Sequence, residues 1–428
     1  MTASAGIGLD SSFPALLVRT GEPKWDYGAL ATCRTLGRCG VRTFVLAHRS
    51  ERELLASRYV TARIGPPLRA DAEAAESAKA LNNVAHAIGS PCVVIAGDDE
   101  SAVLLAEQAE GLDPRLLSFP LVAGLPRRLS DKVALGSLAA DAGVEYPKFL
   151  VSDDPAALAH FTADIGFPVV VKSPAPYSRL RDEAVMHTAL VGDAAELSGY
   201  QKAARRGHRI FVQQYLAGAG AQLWYAAGIA LPQTGHVEVW TGRKLLDYPS
   251  TTGVGVLNLA QQMPTISHLM RHLCATIGYW GPFDSDWAYD PVTGVATLID
   301  FNPRRGAQFR LFQTTTGMDV VRACHLGLTG KPLHWGQQIE GIGHVVENLA
   351  FLRARQAAEK WQGEGWAQLQ TSWWSPDDPR PAAVIGAQMA GSLVRRVGKR
   401  LTPRAPLTTA VRPQASSEGV AVTLPAKM

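Results

Sequence analysis

The chain has 428 residues, 46% hydrophobic and 19% charged. That provides for about two to four packed domains at roughly 100–200 residues each, and excludes a mostly disordered or fibrous protein. Five scattered cysteines (Cys33, Cys39, Cys92, Cys274 and Cys324) form no CxxC pair, which argues against a disulfide framework or structural zinc and for a reducing cytoplasm. The net charge of +4 comes from residues 391–428, where seven Lys/Arg face one Glu; the rest carries 35 basic and 37 acidic groups. The body therefore lacks the basic surplus that signals nucleic-acid binding.

The first residues, MTASAGIGLDSSFP, lack the basic start and apolar run of a signal peptide. The longest uncharged stretch, Ile210–Val237, is broken by four glutamines, four glycines and Pro232, so a membrane span is not expected. Ala15–Arg19 reads as a buried strand, Tyr27–Gly40 as a helix and Val41–Leu46 as a strand. Ala70–Ile88 is Ala-rich and helical, Pro91–Ala96 a third strand and Glu100–Glu110 a third helix. This alternation predicts a parallel, doubly wound, Rossmann-like domain ending near Leu125. No GxGxxG follows the first strand, where the turn is Thr20-Gly21-Glu22-Pro23-Lys24, so a dinucleotide site is not expected.

From Arg127 the order changes to an α+β pattern. Ser130–Gly143 reads as a helix capped by Ser130, followed by an extended segment at Glu145–Val151 and a helix at Pro155–Ile165. Pro168–Lys172 is a strand, Ala194–Arg206 a helix, and Ile210–Leu216, Gln222–Ala230 and His236–Thr241 are strands. Ile266–Gly278 is helical. Gly281–Tyr289 and Val295–Asn302 form a hairpin around Asp290-Pro-Val-Thr-Gly294. Val320–Gly327 and Glu347–Gln362 are helical. Beyond Trp373, SPDDPRPAA reads as a linker. Ile385, Met389, Leu393, Val397 and Leu401 then recur every four residues beside Arg395, Arg396 and Lys399, a basic amphipathic helix. Docking on the body is the preferred reading of that helix, contact with an anionic membrane surface the alternative. Residues 402–428 have the composition of a disordered tail.

The hairpin carries the most chemistry. Side chains alternate along a strand, so Asp284 and Asp286 share one face and Asp300 and Asn302 share one face of the partner strand. Phe283, Trp287, Ile299 and Phe301 lie on the opposite side. Carboxylates gathered on a largely apolar sheet repel unless a cation sits among them, and hard oxygen ligands suit Mg²⁺. Arg304 follows and has the geometry to hold a carboxylate or phosphate bidentately. Lys172 ends a β-branched run, a position where an ammonium usually meets an anion. Phe211-Val-Gln-Gln-Tyr-Leu216 leads into AGAG and offers backbone groups to a flat base. His268 and His272 lack the intervening Glu of HExxH, and Cys324–His325 reads as a buried structural pair. Most tryptophans read as packing, with Trp240 or Trp287 as exceptions close to the hairpin site.

Taken in order, an α/β domain, DK…GVEYP, FPVVVK, VQQYL and Asp286…Asp-x-Asn-Pro-Arg resemble the ATP-grasp superfamily over residues 13–350. SRYV at 57–60, Gly97-Asp98-Asp99-Glu100 and Gly242-Arg-Lys-Leu-Leu-Asp-Tyr-Pro249 look like carboxylate–amine ligases of the D-aspartate ligase type. The resemblance implies a pre-ATP-grasp domain at 1–126, a small lobe at 127–217, a large lobe at 218–350, a helical extension at 351–401 and a tail. It implies ATP and Mg²⁺, with Lys132 and Lys172 on the phosphates, Gln213, Gln214, Tyr215 and Leu216 around the adenine, and Asp286, Asp300 and Asn302 on the metal. Arg304 would steady the phosphoryl group or the substrate carboxylate. Small-molecule carboxylate and amine substrates are implied, amino-acid or peptide-like, with Tyr177, Arg179, Arg243, Lys244, Arg305, Gln308 and Arg310 as candidates near the cleft. A homodimer is common in similar proteins.

Three departures stand out. The segment Ser-Pro-Ala-Pro-Tyr-Ser-Arg179 after Lys172 has no glycine to cradle phosphates, though Ser173, Ser178 and Arg179 offer side chains instead. Aspartates stand where glutamate ligands are usual, and no glutamate aligns with the ribose position. A nucleotide-binding regulatory or scaffolding protein without catalysis is the alternative these departures leave open.

Overall fold

The computed structural model describes residues 7–20, 25–69, 71–174, 188–217, 220–249, 253–362 and 366–401. The turn at 21–24, the segment with Tyr177, Ser178 and Arg179, and the tail from 402 lie outside the described residues. The chain divides into two compact units, residues 1–386 and 387–428.

The larger unit begins with β1 (Ala15–Val18), α1 (Tyr27–Arg38), β2 (Thr43–Leu46), α2 (Arg52–Leu55), β3 (Ala62–Gly65), α3 (Ala74–Ile88), β4 (Cys92–Ala96), α4 (Asp99–Glu107) and β5 (Leu116–Leu117). The strands pair in parallel in the order β3-β2-β1-β4-β5. Leu16, Val18, Leu46, Val94 and Leu105 form its core, so the apolar runs read as strands are buried strands. Asp26 caps α1 by accepting from the Ala29 amide at 2.8 Å, and Asp98 with Ser101 forms a capping box on α4. The elements α2, β3 and β5 are only four, four and two residues long, too short to show a period in sequence.

Next come α5 (Leu125–Ser130), α6 (Lys132–Asp141), β6 (Phe149–Ser152), α7 (Pro155–Ile165), β7 (Val169–Lys172), β8 (Ala189–Val191), α8 (Ala194–Ala204) and β9 (Ile210–Gln214). The expected cap at Ser130 is corrected. Asp131 caps α6 by accepting from the amides of Val133 and Ala134, each at 2.9 Å, while the Ser130 hydroxyl donates to the Pro126 carbonyl. A carboxylate makes two such bonds at a helix N-terminus and outcompetes the hydroxyl. The four strands form an antiparallel sheet, β6-β9-β7-β8, over Leu158, Val171, Ile210 and Val212.

The third sheet is built from β10 (Gln222–Ala230), β11 (Val237–Tyr248), β12 (Val254–Ala260), β13 (Gly281–Tyr289), β14 (Ala296–Asn302), β15 (Ile342–Val345) and β16 (Gln368–Thr371). Its order is β14-β13-β10-β11-β12-β15-β16, antiparallel throughout except for the β15–β16 pair. Packed with it are α9 (Pro264–Ile277) and α10 (Val320–Leu328), and Trp224, Phe283, Trp287 and Phe301 form a core with Leu135 of α6 and Met270 of α9. The helix read over Glu347–Gln362 is two, α11 (Glu347–Leu352) and α12 (Ala354–Gln362), because Arg353 leaves helical geometry at φ −125°. Last is α13 (Arg380–Leu401), which carries the basic amphipathic pattern; from Ala387 onward it belongs to the smaller unit.

The stretch read as a linker is a clasp anchored on one buried residue. Asp378 is 1% exposed and accepts from Arg34 Nε (2.9 Å), Ser57 Oγ (2.7 Å) and the Arg58 amide (3.0 Å). Arg34 is itself fully buried and donates further to the Ser372 and Trp373 carbonyls. Asp377 takes Arg38 in a two-pronged contact at 2.8 Å and Tyr59 Oη at 2.6 Å. Glu347 at the start of α11 accepts from the amides of Ser372, Trp373 and Trp374. The C-terminal edge of the seven-stranded sheet is thereby tied to α1 and to the segment that follows α2. Asp378→Ala leaves the Arg34 guanidinium buried without its counter-ion and is expected to cost about 3–5 kcal/mol in urea unfolding. The half-exposed Asp377→Ala is expected to cost no more than about 1 kcal/mol. Equal losses would contradict this division of roles.

Candidate active site

Register decides which acids meet. Across the β13–β14 hairpin Asp284 lies opposite Asn302 and Asp286 opposite Asp300, so the two pairs expected on shared faces meet across the hairpin. A bulge then intervenes, because Trp287 pairs with Leu298 and Ile299 is the extra residue. Leu298, fully buried, takes the core place expected of Ile299, which instead lines the cavity beside Asp300. Trp287 points the other way, its indole donating to Ser285 Oγ at 2.9 Å inside the core. Trp240 packs near Trp335, so neither tryptophan belongs to the cavity wall.

A cavity of about 210 Å³ opens between the small sheet and this hairpin. Val170, Leu223 and Ile299 give it apolar walls, and Gln213, Gln214, Tyr215 and Leu216 border it where the chain leaves β9. Its charged groups are Lys172, Lys244, Asp247, Asp286 and Asp300. Lys244 and Asp247 are three apart, which would put them on opposite faces of a regular strand. Register shifts in the β11–β12 pairing at Leu246 bring both to the cavity.

The two facing aspartates are each held by a lysine. Lys132, at the start of α6, hydrogen-bonds Asp300 Oδ1, and Lys244 Nζ lies 3.0 Å from Asp286 Oδ1. Lys244 also sits 4.9 Å from the Tyr225 ring centre, and Lys172 5.0 Å from that of Phe211. Burial pushes the Asp300 carboxyl up, but Lys132 and Lys172 outweigh it and hold it below its ordinary range. Burial, and then the neighbouring Lys132, bring the Lys172 ammonium down to about 8. Among the described residues there is no group of three or more His, Cys, Asp and Glu side chains arranged around a metal. Two carboxylates side by side fit Mg²⁺ all the same, since that ion commonly binds one or two carboxylates together with phosphates.

Asn302 and Arg304 form a layer next to the cavity rather than its lining. Arg304 Nη2 donates to Asn302 Oδ1 at 3.1 Å, Nε lies 3.1 Å from Asp99 Oδ1, and Nη1 lies 3.9 Å from Asp284 Oδ2. Gln308 donates to Asp284 at 3.0 Å, and burial pushes that carboxyl up to about 7. Of the other candidates, Arg305 follows in this layer, Arg243 does not line the cavity, and Arg310 is near Arg38 and Arg34 instead. Asp247 was missed in sequence because the strand irregularity that exposes it has no sequence signal.

No protein-family model and no curated protein matches the chain. Solved structures do resemble it. An N5-carboxyaminoimidazole synthetase from Staphylococcus aureus complexed with ADP matches at TM-score 0.57 and 12% identity, over 83% of this chain and 88% of that one. A biotin carboxylase from Campylobacter jejuni gives 0.57 and 15%, over 77% and 74%. The ADP complex of N5-carboxyaminoimidazole ribonucleotide synthetase gives 0.54 and 11%, over 79% and 81%. The fold is the ATP-grasp fold. At these identities the likeness speaks to architecture, and the chemistry has to be argued from the side chains.

The charge network makes a direct expectation for Lys172. Its ammonium should titrate near pH 8 when followed by NMR of the labelled Lys Cε. Lys132→Met removes a like charge and should raise that value, whereas Asp300→Asn removes an opposite charge and should lower it. Shifts of the reverse sign would contradict the arrangement.

Proposed function

We propose that this chain is an ATP- and Mg²⁺-dependent ligase that joins a small-molecule carboxylate to an amine. The observation that carries the reading is the facing pair Asp286 and Asp300 at one cavity with Lys172 and Lys244, in an ATP-grasp fold. Lys132 and Lys172 would meet the nucleotide phosphates. The backbone of Gln214 and Leu216 would hold the adenine edge, with Gln213 and Tyr215 beside it and Val170 and Leu223 as apolar walls. Asp247 stands in for the missing glutamate as a partner for a ribose hydroxyl.

Asp286 and Asp300 would hold Mg²⁺, with Asn302 joining them only on release from Arg304, and the ion when bound supplies neutralising charge at the phosphates. Until then Lys132 and Lys244 offset the two carboxylates, and each is placed to exchange its carboxylate for a phosphate oxygen. A substrate carboxylate oxygen takes the terminal phosphoryl group, and ADP leaves. The amine then attacks the acyl carbon, phosphate departs and the amine gives up a proton. Arg304, set between Asp99 and Asp284, would steady the reacting carboxylate or phosphoryl group. Amino-acid or peptide-like substrates of the D-aspartate ligase kind suit the surrounding charges. Four of the five cysteines are buried and all are free, which suits the cytoplasm.

The test is ADP release from ATP and Mg²⁺ across a matrix of carboxylates and amines. ADP is expected only where both partners are supplied, and Asp300→Ala should cost about 10²–10³-fold in turnover in protein that circular dichroism shows to be folded. Full activity in that variant, or a well-folded enzyme that releases no ADP with any pair, would contradict the proposal. The second result would favour a regulatory nucleotide-binding role.

A further inference from the structure

A second cluster of charge lies where the first sheet meets the loop after β14. The strand order β3-β2-β1-β4-β5 reverses between β1 and β4, and ligands of open parallel sheets bind beyond the C-terminal ends of strands at such a point. Beyond β1 lie Arg19 and Thr20; beyond β4 lie Gly97, Asp98 and Asp99. Thr20 and Asp98 are joined directly, the Thr20 amide donating to Asp98 Oδ2 at 2.7 Å. The loop 303–308 closes on this end. Arg304 reaches Asp99, and Arg305 Nη1 is so near α1 that a Cβ on Gly28 would come within 2.5 Å of it.

Arg305 is 1% exposed, yet its Nε and Nη2 have no hydrogen-bond partner among the described residues. Those two N–H groups point the same way and form the side-on edge of a guanidinium, the edge that takes a carboxylate with two parallel bonds. Arg19 is fully buried as well, and its Nη2 is likewise unpartnered. The acid that bears on Arg305 is already engaged: Asp26 accepts from the Ala29 amide at 2.8 Å and lies 3.1 Å from Arg19 Nε. Glu51 is taken by Arg19 Nη1 and by the His48 amide at 2.6 Å. Beside Asp26, Trp25 has φ 57°, a left-handed conformation that no other non-glycine among the described residues adopts. Strain of that kind persists where the surroundings over-determine it, commonly at ligand sites. A buried cation normally carries its full set of partners. Here two arginines from different parts of the fold leave open donors at one junction.

We infer that the Nε/Nη2 edge of Arg305, braced by Arg19, binds a carboxylate of a substrate other than the carboxylate that is phosphorylated. The inference rests on the ligase reading and adds a specificity-determining residue to it. Arg305 turns towards Gly28 and Asp26 at α1, whereas Arg304 reaches Asp99 and Asp284 beside the cavity, so the group Arg305 holds is assigned as a second one. That group has two sources of the same chemistry: a second acid on the activated substrate, or the carboxylate of an amino-acid acceptor.

The experiment is thermal unfolding of the full chain with Mg·ADP present, titrated with succinate and glutarate in one arm and with glycine and alanine in the other. Acetate and methylamine serve as controls. Wild type is expected to be stabilised by one arm and not by the controls, and the responding arm identifies the source. Arg305→Gln should shift the half-saturating concentration at least tenfold while keeping the response to Mg·ADP. Because Arg305 is buried, a second readout uses wild type alone: hydrogen exchange should slow in peptides covering 15–30 and 300–310 when the responding compound is added. An unchanged titration in Arg305→Gln, protection elsewhere, or a wild type that answers Mg·ADP but neither arm would overturn the inference and leave the ligase reading standing. No response to Mg·ADP itself would remove both.

Discussion

Two carboxylates directly opposite each other on neighbouring strands repel, and the arrangement around Asp286 and Asp300 follows from that repulsion. Cations reach them from separate parts of the chain: Lys132 from the start of α6 and Lys244 from β11, with Lys172 at the end of β7 acting through space. The small sheet, the helix leading into it and the large sheet are therefore coupled electrostatically at one cavity. Burial makes each of these charges costly alone and tolerable together. Such a balance can be taken over by a different cation and a different anion without rebuilding the fold, which is the property a site for a metal–phosphate complex needs.

The first sheet joins this centre through loop 303–308. Gly28 at the start of α1 admits Arg305 Nη1 and the Ala307 backbone at distances that no Cβ would allow. Farther along α1, Arg34 and Arg38 grip the segment after β16. One helix is thus held both by the loop that follows β14 and by the C-terminal edge of the same sheet. Arg304, Asp99 and Asp284 meet within this rigid frame. Positioning of that kind lets a buried arginine act as a fixed charge rather than a mobile one.

Much of this was legible in the residues. The long apolar runs and capped helices of the first sheet, the helix at 155–165 and the hairpin strands stand close to where pattern puts them. Alternation correctly put Asp284 with Asp286, and Asp300 with Asn302, on shared faces, while the strand register decides which lies opposite which. Alternation failed where strands are irregular: one extra residue turned Ile299 out of the core, and the shifted β11–β12 pairing brought Asp247 to the cavity. Strands of two to four residues carry too few positions to show a period, so β3, β5, β15 and β16 passed as loop. SPDDPRPAA has the composition of a linker, and only its partners more than 300 positions away make Asp378 a buried anchor. The open edge of Arg305 is invisible for the same reason, since unpaired donors are a property of surroundings and not of sequence.

The most direct test of the central idea is calorimetric titration of ADP into wild type and Asp286→Asn, each with and without Mg²⁺. If the lysine-held aspartates are a metal–nucleotide site, wild type should bind ADP markedly more tightly with Mg²⁺. Asp286→Asn should lose that metal dependence while retaining metal-free binding, because its carboxylate no longer competes for Lys244. Metal-independent binding in both proteins, or no binding to a well-folded wild type, would contradict it.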